Sequence, residues 1–449
     1  MDLVRRCHKK RLVVWLLFIL CCAGLSGMAF PEAAESRIIK GGVTTAWVNR
    51  YREGDDLLKE VNALAVDDQG NVYVSGGSVY GGDGASSCVT LKLNSMGQVV
   101  WARYYEGKYP YNNAKAMAVD PRGNVFSTGY SGFGSHYSGY NSTIATFKLG
   151  PDGEPQWWQT FGDTPGEYSD FANAMAVDGQ GNVYITGTVT IKYSPDGQEL
   201  WVRNFNGVAT AIGMDSQANV YVTGYSYSFE NYDYLTIKYG PDGQELWARR
   251  YNGPGNRNDY PSALVVDSQG NVYITGTSWN SESGDDDCVT IKYSADGQRL
   301  WVRRSDAGGW PNPGIALDGL GNTYVTGNTG RESIVTVKYN PEGQKLWGKR
   351  FSGPLGSSRA NAMTVDSRGN VYITGSEWGS EPNIVNCLTI KYNTDGRRIW
   401  VRRYHGPENA SSNLSAVALD GQGNIYVSGV SYISPYKHDF LTIKYLQNP

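Results

Sequence analysis

Apolar and polar positions along this chain keep a short alternating beat. Residues 263–276 read ALVVDSQGNVYITG and residues 288–304 read CVTIKYSADGQRLWVRR. Four strand candidates stand out in this stretch: 263–267, 272–275, 289–293 and 300–303. All are short, rich in Val, Ile, Tyr and Thr, and bounded by Gly, Asp and Asn, as strands are. No 3.6-residue period competes with them. Between the first and second lies D-x-x-G-N, as at Asp267, Gly270 and Asn271. Glycine takes positive φ there at little steric cost, which closes a short hairpin. Between the third and fourth lies P-D-G, as at Pro195, Asp196 and Gly197. Proline presets φ for such a turn and glycine ends it.

This unit recurs along the chain. Its hairpin aspartate is found as Asp67, Asp120, Asp178, Asp215, Asp267, Asp318, Asp366 and Asp420, at spacings from 37 to 58 residues. A late tryptophan recurs equally often, as Trp47, Trp101, Trp157, Trp201, Trp247, Trp301, Trp347 and Trp400. Four antiparallel strands with tight turns, repeated at this period, make propeller blades. The segment 47–51 reads as a fourth strand with no first three before it, and 441–445 as a third strand with no fourth after it. The N-terminal strand is therefore expected to complete the C-terminal blade and close the ring. The fold class is all-β: an eight-bladed propeller of four-stranded antiparallel blades. Seven blades is the alternative, because the third unit is short, with 183–186 and 189–193 almost directly joined.

These repeats resemble the β-propeller repeat family called SBBP. The D-x-x-G-N-x-Y turn, the T-x-K-Y strand and the D-G-x-x-x-W turn carry the resemblance, over nearly all of residues 47–445. It implies a propeller in an exported or cell-surface protein and no defined activity. The family name implies seven blades, from which a count of eight departs.

Composition sharpens the picture. The chain has 56 glycines in 449 residues, well above the usual ~7%, and the repeated turns account for much of the excess. Arg5, Arg6, Lys9, Lys10 and Arg11 precede an uncharged run to Ala29. This order is that of a secretory signal peptide over residues 1–29, with 30–46 as a linker and 47–449 as one propeller domain. An uncleaved anchor is the alternative. Either way the expected location is extracellular or periplasmic, with cell-surface attachment as a variant. Losing that leader takes five basic residues and Asp2 from a net charge of −3, leaving −7. A mildly acidic chain is a poor nucleic-acid binder, and no later segment is apolar enough to span a membrane. A monomer is expected. Cys88, Cys288 and Cys387 remain beyond the leader. Each starts a third strand in a different, non-adjacent unit, too far apart to pair, so free buried thiols are expected.

What recurs in every unit builds blades; what occurs once is a candidate for function. Lys92, Lys148, Lys192, Lys238, Lys292, Lys338, Lys391 and Lys444 share one position. They are expected to pair with the blade's own aspartate or with carbonyls of a neighbouring blade. The repeated tryptophans read as packing between blades, and the aspartates as caps of their turns. The long, varied joins, between strands two and three and between blades, emerge on one side of the disc. Binding residues tend to sit on such loops. They include 130–142, 225–234, 277–287 and 376–386, mixing Tyr, Trp, Asn, Ser and Gly as adaptable recognition surfaces do. The candidate ligand-binding residues are Trp279, Trp310, Trp378, Tyr137, Tyr227 and Tyr232, for a glycan or protein ligand. Trp279, Trp378, Tyr227 and Tyr432 share one offset, so a packing role competes. Glu282 with Asp285, Asp286 and Asp287 offers oxygens to calcium. The run lacks a calcium loop's spacing, and a solvated acidic loop is preferred. No other cofactor is expected.

No nucleophile elbow, H-E-x-x-H, phosphate loop or C-x-x-C is present. Only His136, His405 and His438 lie beyond the leader. Catalysis is therefore not expected. The rival readings are a quinoprotein-like oxidoreductase, loosely resembled in its repeated tryptophans, and a glycan-cleaving hydrolase or lyase, since the D-G turn is similar to the Asp-box of sialidases.

Overall fold

The computed structural model describes residues 42–52, 58–79, 85–107, 109–132, 142–162, 169–228, 230–282, 284–305, 309–329, 333–379, 384–407, 410–434 and 437–447. Within them, eight sheets of four antiparallel strands form. Blade 1 opens with Leu58–Val66, blade 2 with Tyr111–Val119, blade 3 with Ala172–Val177 and blade 4 with Val208–Met214. Blades 5, 6 and 7 open with Asp259–Val266, Gly309–Leu317 and Ser358–Val365. Blade 8 takes three strands, Ser412–Leu419, Ile425–Ser434 and Lys437–Gln447, from the end of the chain. Its fourth is Val43–Tyr51, paired antiparallel with Lys437–Gln447 from Val43 opposite Gln447 to Tyr51 opposite Phe440. That strand begins inside the stretch read as a linker. The first strands touch one another all round, blade 8 against blade 1 included, so they are innermost. The architecture is an eight-bladed β-propeller, and blade 3 is a full blade: Val183–Gly187 and Val189–Tyr193 are separated by Thr188 alone.

The core is a set of layers between blades. Tyr221, Tyr234, Trp247 and Tyr251 of blade 4 pack on Val272, Ile274, Val289 and Ile291 of blade 5. Alternate residues face the other way: Tyr273, Cys288 and Trp301 of blade 5 pack on Val325, Val335 and Val337 of blade 6. A strand with a neighbouring sheet on each side buries both faces. This explains why the second and third strands read as nearly continuous runs of apolar and Thr residues. Cys88, Cys288 and Cys387 are free and buried in such layers. Burial pushes the Cys288 thiol up to about 11.

The hairpin aspartates cap their turns. Asp67 Oδ1 accepts the Gln69 and Asn71 amides at 3.0 and 2.8 Å, and Oδ2 accepts Asn71 Nδ2 and the Tyr73 hydroxyl at 2.8 and 3.1 Å. Seven of these turns place glycine at positive φ; blade 4 uses Ala218, at φ 61°. There an L side chain meets its own carbonyl, which costs about 1–2 kcal/mol.

Two features depart from the sequence pattern. Most inner strands carry an unpaired bulge residue: Asn62, Lys115, Asn173, Thr210, Ser262, Asn361 and Ser415. In blade 6 the irregularity lies between Trp310 and Gly314. The stretches read as loops also turn out shorter, because the second and third strands run on. In blade 4 they extend to Ser228 and restart at Asn231, so nearly all of 225–234 is hairpin. The alternation of Tyr with Ser through 225–228 is itself a strand pattern.

Candidate functional site

The face carrying the two tight turns repeats one scheme from blade to blade. Trp247 Nε1 and Lys238 Nζ both donate to the Ala295 carbonyl in the next blade's turn, at 2.9 and 3.1 Å. Trp301 and Lys292 do the same to Pro341 at 3.0 and 3.2 Å. The turn glycine lies flat on the tryptophan: a Cβ on Gly297 would come within 2.8 Å of the Trp247 ring. Lys238 also stands 3.7 Å from its own blade's Asp215 and 4.9 Å from the centre of the Tyr221 ring. The lysines, tryptophans and aspartates are therefore structural joints. Burial pushes the Asp215 carboxyl up, but hydrogen bonds from Asn219, Tyr221 and Gln217 outweigh it and hold it below the ordinary value. The joint changes at the seam, where no such turn links the last two strands of blade 8. There Gln447 Oε1 accepts from Lys391, its Nε2 donates to the Tyr372 hydroxyl at 2.8 Å, and Arg402 reaches the Val43 carbonyl at 3.1 Å.

The opposite face differs from blade to blade. At the joint of blades 4 and 5 it carries a cluster of four tyrosines. The Tyr225 ring meets Tyr232 and Tyr260 edge-on at 5.4 and 5.2 Å, and Tyr227 meets Tyr232 at 5.6 Å. Tyr227 is 61% exposed, Tyr232 38% and Tyr260 37%. Beside them the Arg257 guanidinium lies 4.7 Å from the centre of the Trp279 ring. Burial, then the charges of Tyr232 and Asp286, pushes the Tyr260 hydroxyl up.

Beneath this cluster lie two buried carboxyls. Asp259 is 1% exposed and accepts the Gly253 amide at 2.7 Å, while Arg250 turns aside to Ser226 Oγ at 3.0 Å. Burial pushes both Asp233 and Asp259 up. In blade 5, Asp287 takes Arg304 at 3.0 Å, and in blade 8 Asp439 takes Arg52 at 2.7 Å. In blade 7 Glu377 pairs with Arg403.

The sequence candidates are only partly gathered together. Tyr227 and Tyr232 meet in the cluster, with Trp279 on the adjoining blade. Trp378 is 43% exposed but stands two blades away from Trp279. Trp310 is in a strand opposite Asn328, and its side chain lies outside the described residues, as does Tyr137. The shared offset splits in outcome: Tyr227 and Trp378 are exposed, while Tyr432 packs on His438 at 4.2 Å. The acidic run corrects the solvated-loop reading. Asp285 to Asp287 belong to a paired strand, Asp286 opposite Trp279. Alternation sends Asp286 to the opposite face from its neighbours, and Asp287 is occupied by Arg304. His405 Nδ1 lies 2.7 Å from Asn386 Oδ1; His136 is outside the described residues. Tyr225, Tyr260 and Arg257 belong to the cluster without being among the sequence candidates. Tyr260 joins the cluster from the next blade, a proximity that sequence spacing does not display.

Three stretches, residues 162–188, 246–282 and 346–379, match the family model of the SBBP β-propeller repeat. The second and third begin in an outer strand and the first just after one, and each crosses the join to include the second strand of the next blade. No curated protein matches the chain. Among solved structures, Sqt1 from Chaetomium thermophilum aligns at TM-score 0.54 and 9% identity, covering 89% of this chain and 98% of that one. BamB from Moraxella catarrhalis aligns at 0.49 and 14%, covering 90% and 97%. The WD40 domain of Toxoplasma gondii coronin aligns at 0.45 and 10%, covering 93% and 89%. The likeness to Sqt1 is one of fold.

Proposed function

We propose that this ring of SBBP-type propeller repeats is an exported, monomeric binding scaffold that holds a protein or glycan ligand on its varied face. The observation carrying the proposal is the joint of blades 4 and 5. Exposed tyrosines cluster there on paired hairpins, with Trp279 and Arg257 alongside, on the face that varies between blades. Tyrosine gives large contact area at low entropic cost and keeps a polar tip for hydrogen bonding. Export is supported by the basic-then-apolar order of the first 29 residues, and N-terminal sequencing of secreted protein tests it. Binding is tested by a glycan array and a pull-down with the mature chain, each with and without calcium. Substituting Tyr227→Ala with Tyr232→Ala weakens the captured ligand by about tenfold or more, as loss of two aromatic anchors does. Undiminished capture removes the face assignment. The role proposed is binding rather than catalysis; a chromophore in the absorption spectrum of purified protein would favour a quinoprotein instead.

A further inference from the structure

A second site lies on the axis of the ring. The inner strands of blades 1, 5, 6, 7 and 8 line an open cavity of about 660 Å³, within the range of small-molecule sites. Its polar lining comes mostly from the bulges, Asn62, Ser262, Asn361 and Ser415, with Asn413 from a paired position beside them. A bulge inserts one residue into a strand and re-aims its side chain. The asparagines are held from one side only. Asn62 Nδ2 donates to Asn113 Oδ1 and to the Ala114 carbonyl of blade 2, both at 2.8 Å. Asn361 Nδ2 donates to Asn413 Oδ1 and the Leu414 carbonyl of blade 8, at 2.9 and 2.7 Å. Asn173 Nδ2 does likewise to Ala209 in blade 4, at 2.8 Å. The Asn62 and Asn361 amide donors are thus committed to the ring, and among the described residues their Oδ1 oxygens accept nothing. The charged bulge residue, Lys115, lies 5.7 Å from the Tyr130 ring centre, and no charged residue lines the cavity. The remaining lining is apolar, with Val61, Ile315 and Met363.

We infer that this axial cavity binds a neutral carbohydrate, separately from the tyrosine face. Fixed acceptors with free lone pairs need a ligand that donates. A cation of any affinity would need carboxylates, which the lining lacks. A sugar supplies several hydroxyl donors for the Asn oxygens and Ser hydroxyls, and its C–H faces rest on Met363, Ile315 and Val61. Because the asparagines are fixed by the next blade, little side-chain freedom is lost on binding.

The test uses the full chain with maltose, cellobiose and N,N′-diacetylchitobiose, followed by saturation-transfer NMR and calorimetry. At least one disaccharide gives transfer and a saturable heat. Ala362→Phe and Ala263→Phe fill the cavity from positions that make no side-chain hydrogen bond, and weaken that binding at least about tenfold, while Met96→Ala, exposed on the turn face, changes it less than about twofold. A photoreactive diazirine form of the same disaccharide, used on the unaltered chain, labels Met363 or Ile315, and free sugar competes the label away. This mapping stands even where a filled variant fails to fold. Absence of saturable binding with all three sugars overturns the inference, as does competed labelling at Tyr227 or Tyr232 in place of the cavity.

Discussion

The two faces of the disc use the same residue types to opposite ends. On the turn face, Asp318 receives four hydrogen bonds, from the Leu320 and Asn322 amides, Asn322 Nδ2 and the Tyr324 hydroxyl, at 2.8–3.0 Å. Burial pushes its carboxyl up, and those bonds bring it below the ordinary value. On the varied face, Asp233 and Asp259 are as deeply buried, yet each keeps an Oδ1 without a hydrogen-bond partner, and both carboxyls are raised. Aromatics divide in the same way. Trp247 and Trp301 are buried in joints between blades, whereas Tyr227 and Tyr232 meet solvent. The recurrent hairpin aspartates and joint tryptophans are thus satisfied, whereas Asp233 and Asp259 of the varied face keep bonding capacity.

The sharpest way to break this comparison is Trp247→Ala. Removing a buried indole that stacks on a neighbouring turn costs about 3–5 kcal/mol, read by thermal or denaturant unfolding, with capture by the tyrosine face unchanged in the folded fraction. Tyr227→Ala shows the converse, with stability altered by about 0.5 kcal/mol or less and capture reduced. Equal destabilisation by both would erase the distinction between faces. Asp318→Ala comes next, at about 2–3 kcal/mol, because four donors lose a charged acceptor.

A pH titration followed by carboxyl ¹³C NMR separates the faces electrostatically. Asp215 and Asp318, lowered in the fold, stabilise it above the ordinary carboxylate range, and that contribution is lost as pH falls through their depressed values. Asp233 and Asp259, raised in the fold, favour it below that range, and their contribution is lost as pH rises through their elevated values. On acidification the varied face protonates first; simultaneous titration of all four would contradict this. The smallest effect is Ala218→Gly. It relieves the one hairpin that holds a side chain at positive φ and raises stability by about 0.5–1 kcal/mol, read as a shift in the unfolding midpoint.

Legibility in the sequence follows the same division. Blade number, strand order, the closing strand and the capping role of Asp67 and its equivalents were readable, because eight internal copies separate the constant from the variable. The joint between Lys238, Trp247 and Ala295 was foreseeable in kind, since a buried lysine needs a partner, though not in its shared carbonyl. The tyrosine cluster was half visible. Tyr227 and Tyr232 lie on one hairpin, but Tyr260 arrives from another blade. The axial asparagines were missed, although the sequence carries a trace of them. Asn62, Asn173 and Asn361 each precede an alanine at the same distance from the hairpin aspartate. A lone polar residue at a fixed place in an inner strand signals a bulge, which periodicity alone hides because the insertion breaks the beat.

The seam has a mechanical consequence. Val43 and Gln447 sit opposite one another at the turn-face end of blade 8. A force drawing the two ends of the ring apart would load that antiparallel pair one rung at a time, opening it like a zip rather than shearing all its hydrogen bonds together. A force applied between either end and a ligand on the varied face would instead run along the strands and be shared among the interlocked joints of neighbouring blades. The same closed ring is thus yielding when tugged by its two tails and stiff when tugged by its cargo.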